Sequence, residues 1–221
     1  MSGTYERMNY ITSFGFSIRW RKQFLAKLGR NTEKLNVIDL LSGQGENWQL
    51  LKKNFPNAAF TAVDFSEQMV LRSVEKGNRV FDGKLELLCE DLLAGTLPSG
   101  HFDIVSCVYG LKTFDHDQLK SLASEVNRIL KKGGKFSFVE VSKPENKVLR
   151  LLYGFYLSKV IPLLGRLMLG DPHDYKMLWI YTSKFEKSTL ACEIFEEQGL
   201  KVRYERYFFG CASGFSGEKT E

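Results

Sequence analysis

Short apolar runs alternate with stretches of helical periodicity along most of this chain. Val37-Ile38-Asp39-Leu40-Leu41 ends in the loop Ser42-Gly43-Gln44-Gly45, and a helical pattern opens at Glu46. Ala59-Phe60-Thr61-Ala62-Val63 closes on Asp64, Leu85-Glu86-Leu87-Leu88-Cys89 closes on Glu90-Asp91, and Phe102 to Tyr109 runs into Gly110. Lys135 to Val141 is a fifth run. Between them the periodicity predicts helices near residues 17–28, 46–54, 66–77, 116–130, 146–169 and 186–198. Strands alternating with helices predict an α/β fold built on a parallel sheet. Val202 to Phe209 alternates as a half-buried strand does and is expected to pair with Gly210 to Phe215 in a closing antiparallel hairpin. Asp115, with Gln118 three residues on, is an expected helix N-cap. His116 beside it reads as a surface residue rather than a ligand or base, and Gly133-Gly134 is expected to stop the helix.

Ligands of open parallel sheets bind beyond the carboxyl ends of the strands, so the residues closing the first four runs are the candidate set. Gly43 and Gly45 permit positive φ and close backbone approach, and the helix behind them offers unpaired N–H groups to a polar or anionic ligand. A dinucleotide fingerprint needs a third glycine three residues after Gly45, where this chain has Trp48. The loop therefore points to a different nucleotide-like ligand. Asp64, about 20 residues farther on, stands where an acid accepts both hydroxyls of a ribose.

Composition narrows the class. At 221 residues, 43% hydrophobic and 26% charged, the chain reads as a single globular domain over 1–221. Its expected parts are an N-terminal arm and helix (1–30), a cofactor-binding core (31–143), a helical lid after the fifth strand (144–180), and a C-terminal helix and strand hairpin (181–221). The net charge of +5 is spread along the chain, favouring a solvated surface over a nucleic-acid groove and leaving attraction to anionic lipid open. The first residues lack the apolar core of a signal peptide, so a cytoplasmic location is expected. Cys89, Cys107, Cys192 and Cys211 lack metal-ligand spacing and are expected to be buried free thiols, with no metal. The apolar stretch from Val148 to Leu169 is interrupted by Arg150, Lys159, Pro162 and Arg166, which argues against a membrane span. A helix pair packed over the sheet, with its cations turned outward, is the expectation. Whether it only covers core or grips an apolar substrate stays open.

The ordered set Asp39-x-x-x-Gly43-x-Gly45, Asp64 followed by Ser66 and Met69, Glu90-Asp91, and Arg128 to Gly134 resembles the class I S-adenosylmethionine-dependent methyltransferases. A closer resemblance, to the UbiE-like C-methyltransferases of ubiquinone and menaquinone biosynthesis, rests on Tyr5 to Asn9 with Ser13-Phe14-Gly15, Arg19-Trp20-Arg21, Tyr109-Gly110-Leu111, Glu140 to Pro144, and Gly170-Asp171 with Tyr175. It covers nearly the whole chain. The resemblance implies a doubly wound, seven-stranded, Rossmann-like sheet and S-adenosyl-L-methionine as cofactor. Ser42, Gly43, Gln44 and Gly45 would cradle the methionine part, with Asp39 near its ammonium. Asp64 would hold the ribose, Asp91 and Leu92 would flank the adenine, and Val108 and Tyr109 would line the sulfonium, with Phe65, Met69 and Glu90 as further cofactor-binding positions. Asp39 as a strand-end acceptor for loop amides, and Asp91 as a helix cap, stay open beside these roles.

The departures from the family pattern fall on the acceptor side. Lys112-Thr113 stands where the family reads Arg-Asn, Phe215 where a histidine is usual, and Glu6 where Tyr5 is usually followed by Asp. The implied reaction is methylation of a ring carbon of a prenyl quinol or similar apolar aromatic, which needs a phenolate held in line with the methyl group and away from water. Lys112 is the leading candidate to meet the developing charge, with Tyr109, Tyr5 and His173 as other polar groups. Methylation of oxygen or nitrogen on another small or lipid acceptor, and a non-catalytic cofactor-binding subunit, are the alternatives. The expected partner is a small apolar or prenylated acceptor and not nucleic acid, with peripheral membrane contact and a homodimer left open.

Overall fold

The structure is a computed structural model that describes residues 13–169, 173–185 and 188–220. Five parallel strands, β1 (Asn36–Leu40), β2 (Ala59–Asp64), β3 (Leu85–Cys89), β4 (Phe102–Val108) and β5 (Leu130–Val141), are joined by β6 (Leu200–Tyr207) and β7 (Ala212–Lys219). The sheet order is β3-β2-β1-β4-β5-β7-β6, with β7 antiparallel to both its neighbours. Helices α1 (Phe16–Leu25), α2 (Trp48–Asn54), α3 (Glu67–Phe81) and α4 (His116–Ile129) fall along the first half, and α5 (Lys147–Phe155), α6 (Ile161–Leu169), α7 (His173–Phe185) and α8 (Thr189–Glu197) along the second. This is the expected seven-stranded Rossmann-like sheet with a helical insertion after the fifth strand.

Helices on both faces explain why the central strands read as continuous apolar runs and not as alternating ones. On one face Ile38, Leu40, Val105 and Phe138 pack with Leu122, Val126 and Phe195 from α4 and α8. On the other, Val37, Phe60 and Ile104 pack with Trp48, Leu51 and Phe81 from α2 and α3. Asp115 caps α4 as expected, accepting the Gln118 N–H at 2.9 Å while the Gln118 side chain accepts the Asp115 N–H at 2.9 Å. His116 is exposed beside it.

Several expectations shift. Helix α4 ends at Ile129 and not at the glycine pair, because the next residue, Leu130, is fully buried and pairs with Phe102 on β4. Gly133, with φ 73°, instead lies inside β5, where the pairing register with β4 slips between Phe102 and Ile104. Cys107, Cys192 and Cys211 are buried, but Cys89 is exposed at the end of edge strand β3. Between α5 and α6 the chain forms a π-helical turn, Tyr156–Val160, two residues ahead of Pro162. A proline ring clashes with the carbonyl four residues back, and a widened turn is a way to accommodate it. Helix α7 has no counterpart in the periodicity reading; it packs so closely on α5 that a Cβ on Gly154 would sit 2.8 Å from the Trp179 ring. No helix of the described residues is long and apolar enough to cross a membrane.

The β5–β7 pairing leaves room for only a hydrogen at Gly214, where a Cβ would lie 2.1 Å from the Phe138 carbonyl oxygen and 2.6 Å from the Phe24 ring of α1. One of those neighbours is backbone and cannot yield. Gly214→Ala is expected to lower unfolding free energy by about 3 kcal/mol, the upper range for overpacking. Urea denaturation of the variant checks this, and a loss under 1 kcal/mol would mean that the β5–β7 pairing yields at this point as well as α1.

Candidate active site

Strands β1 and β4 are neighbours whose onward connections lead to opposite edges of the sheet, and the crevice at their carboxyl ends holds the candidate residues. Leu41, Gly43 and Gly45 all take positive φ, at 52°, 54° and 71°. The loop is anchored by Ser42, whose N–H donates to the Val63 carbonyl at 3.0 Å, and by Asp64, whose two carboxylate oxygens accept the N–H groups of Gly43 at 2.8 Å and Ser66 at 2.9 Å. Trp48, the residue that breaks the dinucleotide pattern, packs against the loop itself. A Cβ on Gly45 would lie 2.3 Å from its indole, and one on Gly77 of α3 would lie 3.2 Å away. The tryptophan thus does for loop and helix what a third glycine does in dinucleotide folds: it fixes how closely they approach.

Beneath the loop lies an incompletely satisfied polar cluster. Asp39 is 2% exposed, and Ser106 on β4 donates its hydroxyl to Oδ1 at 2.5 Å. Its other oxygen, Oδ2, has no hydrogen-bond partner; the same holds for Ser42 Oγ, Asn47 Oδ1 and Trp48 Nε1. Burial pushes the Asp39 carboxyl up to about 7, against the pull of the Ser106 hydrogen bond. Buried polar groups left unpaired are costly, and three acceptor-capable oxygens converging at one loop suit a ligand that brings N–H donors and positive charge. The ammonium end of a methionine-like group has that chemistry.

A cavity of ≈ 780 Å³ opens in front of the loop. Gly43, Gln44, Glu46 and Asn47 form one wall, Val108, Tyr109, Lys112 and Thr113 the next, and α5, α7 and the π-helical turn supply Leu149, Leu152, Tyr153, Tyr156 and Leu178. Lys112 is not a surface cation. Its ammonium donates to Glu140 Oε1 at 3.0 Å and to the Tyr109 carbonyl at 2.6 Å. Glu140 is fully buried and also accepts the N–H groups of Lys112 at 3.2 Å and Val141 at 2.8 Å. Two of the three ammonium donors are thus committed, and the group lies on the cavity wall. Tyr109, held at φ 64°, donates its phenol to the Ser17 carbonyl at 2.8 Å. Burial drives its ionisation far above the ordinary phenol range, so it serves as a donor and not as a base. Burial does the same to Tyr153.

Of the residues singled out in the sequence, Gly43, Gln44, Met69, Val108, Tyr109 and Lys112 line this cavity. Asp39, Ser42, Gly45 and Asp64 form the layer beneath and beside it. Phe65 is 72% exposed, Glu90 is half-buried, Leu92 is buried, and Asp91 caps the turn Leu92–Ala94 by accepting the Leu93 N–H at 2.9 Å. Tyr5 and the side chain of His173 lie outside what the structure describes. Phe215 does not belong to the acceptor side. The alternation of β7 turns it to the opposite face, where it stacks on Phe138 with ring centres 5.1 Å apart, so this departure from the family pattern is a matter of core packing.

Arg21 and Glu140 were missed as site residues. Arg21 is 7% exposed and lines the cavity, donating to the Glu46 carbonyl at 3.0 Å and to the Ser17 carbonyl at 3.4 Å. Among the described residues no carboxylate pairs with it. A permanently charged group so placed suits an anionic ligand atom. Neither residue carries a sequence signal beyond its place in a family-like stretch.

The family model for the ubiE/COQ5 methyltransferase family matches residues 1–219. A demethylmenaquinone methyltransferase of Thermotoga maritima is 33% identical over 218 residues, covering 97% of this chain and 90% of that protein. One of Thermus thermophilus is 29% identical over 215 residues, covering 97% and 96%. Among solved structures, a SAM dependent methyltransferase from Aquifex aeolicus shares the fold, with a TM-score of 0.60 at 18% identity over 90% of this chain and 89% of that one. With its glycine loop, buried strand-end acid and lidded cavity accounted for, the chain belongs to the ubiE/COQ5 methyltransferase family and is an S-adenosylmethionine-dependent methyltransferase.

Proposed function

We propose that this enzyme methylates a ring carbon of a prenyl quinol or a closely similar apolar aromatic acceptor. The observation that carries the reading is the cavity, whose walls beyond the cofactor loop are mostly aliphatic and aromatic, with Lys112 and Thr113 on one wall and Ser13, Ser17 and Arg21 among its other polar side chains. The names of the relatives, demethylmenaquinone methyltransferases, support it. An acceptor of this kind needs an apolar sleeve for its ring and tail and one point of positive charge for the oxygen that loses its proton.

The cofactor, when bound, supplies a methyl group already activated on a sulfonium. The protein's part is binding, orientation and electrostatics. Asp39 Oδ2 and Ser42 Oγ would hold the ammonium of its methionine part, Arg21 the carboxylate, and Asp64 the ribose, since each Asp64 oxygen keeps acceptor capacity beyond its one backbone N–H. Lys112, held in place by Glu140, turns its remaining N–H toward the acceptor and stabilises a phenolate oxygen as charge develops there. The lid helices exclude water, which strengthens that attraction. Labelled methyl transfer to a short-chain demethylated naphthoquinol, with the methylated atom identified, tests the reading. Methylation at oxygen, or none, would overturn it.

Two further outcomes are expected. Lys112→Met alone leaves the Glu140 carboxylate buried without its cation and should cost about 3–5 kcal/mol of stability. Lys112→Met with Glu140→Gln should recover most of that loss while turnover stays about 10²-fold below the parent and cofactor affinity changes by a few-fold at most. Restored turnover in the double variant would make the ion pair structural only. The second concerns pH. Asp39 is protonated below about pH 7 in the free chain, and an ammonium against it favours the carboxylate. Binding of S-adenosylhomocysteine should therefore release a proton below pH 7 and weaken by up to about tenfold per pH unit as pH falls, levelling off above 7. Calorimetry in buffers of different ionisation enthalpy measures the proton count, and Asp39→Asn should flatten the profile.

A further inference from the structure

The lid helix α5 is apolar on two sides. Its inner side, Leu149 and Tyr153, packs on the body of the protein, while Val148, Leu151 and Phe155, spaced i, i+3 and i+7, stand 67%, 74% and 61% exposed. A solvent-facing stripe of that size on one helix is not needed for packing, and apolar patches of this kind mark interaction sites. The same rim carries aromatic side chains on strained backbone. Phe14, Phe208 and Phe209 all take positive φ, at 49°, 45° and 55°, and Phe14 and Phe209 are each 77% exposed. Bulky residues rarely adopt that conformation, and strain held at a surface points to function. Phe14, Phe208 and Leu152 also line the cavity, and Phe14 stacks on Tyr156, another lining residue, with ring centres 5.6 Å apart, so the exposed apolar side chains adjoin the cavity.

Charge identifies what covers it. From Asn146 to Leu169 the chain carries Lys147, Arg150, Lys159 and Arg166 and not one aspartate or glutamate. Lys147, Lys159 and Arg166 are exposed. A second copy of the chain would bring four cations against four, whereas an anionic bilayer offers both a negative surface and an apolar interior. Amphipathic helices with cations beside an apolar face and aromatic side chains bind in that plane. We propose that the outer face of α5, with the Phe208-Phe209 turn and Phe14, docks on a lipid bilayer bearing anionic headgroups and sets the cavity mouth against it, so that an apolar acceptor passes from lipid to cavity without crossing water. Docking itself rests on this surface alone; only the passage of an acceptor rests on the function proposed above.

Sedimentation with vesicles free of quinone separates the two. The parent chain is expected to bind vesicles containing one-third phosphatidylglycerol at least tenfold better than pure phosphatidylcholine, with binding falling as salt rises. The variant Leu151→Ser/Phe155→Ser/Phe209→Ser, none of whose positions lines the cavity, should lose vesicle binding at least tenfold while its circular dichroism and its affinity for S-adenosylhomocysteine match the parent. Lys147→Gln/Lys159→Gln should remove the preference for anionic lipid. Equal binding by parent and triple variant, no binding by the parent, or a parent dimer that the triple variant abolishes would each overturn the assignment. Absence of methyl transfer to quinols would leave the vesicle result standing and would count against the proposed acceptor alone.

Discussion

A carboxylate buried at the end of the first strand governs the arrangement of this molecule. Asp39 is enclosed by Ser106 from the neighbouring strand and by the loop that ends at Trp48, with one oxygen satisfied and the other not. A fold tolerates such a group only if its neighbours are held firmly and if the missing partner has a use. The raised ionisation of Asp39 is the physical sign of that cost: burial favours the neutral acid, and a cation is what restores the charged form. In the free chain the same shift lowers stability as pH rises from the ordinary carboxylate range toward 7, because the folded state holds a proton that the unfolded state has released.

What holds the loop over Asp39 is a pair of contacts from the other side. Asp64 clamps the Gly43 and Ser66 amides, tying the loop to the start of α3, and the Trp48 indole fills the space between Gly45 and Gly77. Both contacts bind the loop to the β2–α3 unit and leave its other edge facing the cavity. There the chemistry changes from polar to apolar over a short span, with the Lys112–Glu140 pair at the boundary. That pair is weak evidence for stability, since burying two charges costs about as much as their attraction returns. Its position on the wall of a cavity otherwise dominated by carbon is better explained by work on a ligand.

The fold and the identity of the cofactor were largely legible in the sequence, and the side-chain environment of the cavity was not. Runs such as Val37 to Leu41 and Ala59 to Val63 announce strands because a parallel strand covered on both faces must be apolar throughout, and Asp115 with Gln118 announces a helix start through local hydrogen bonds alone. Gly43, Gly45, Asp39 and Asp64 stood out as candidates because they lie at the ends of strands and in the loop that follows them. Helix α7 went unseen because its sequence shows little amphipathic contrast and it is defined by contacts such as Trp179 on Gly154. The end of α4 was misplaced because Leu130 is claimed by the sheet, a nonlocal demand that outweighs the two glycines as a stop signal.

By itself the sequence determined the order of strands and helices, the glycine loop with its acids, and the family to which they belong, because these depend on short-range patterns and strand alternation. Only the tertiary structure decided that Lys112 faces Glu140, 28 residues away in the chain, that Arg21 is buried at a cavity without a carboxylate partner among the described residues, and that Phe215 stacks on Phe138 in the core. Those are statements about which side chains share an environment. A linear pattern assigns a residue to a face, but charge state, burial and accessibility are fixed by what the rest of the chain brings to that face.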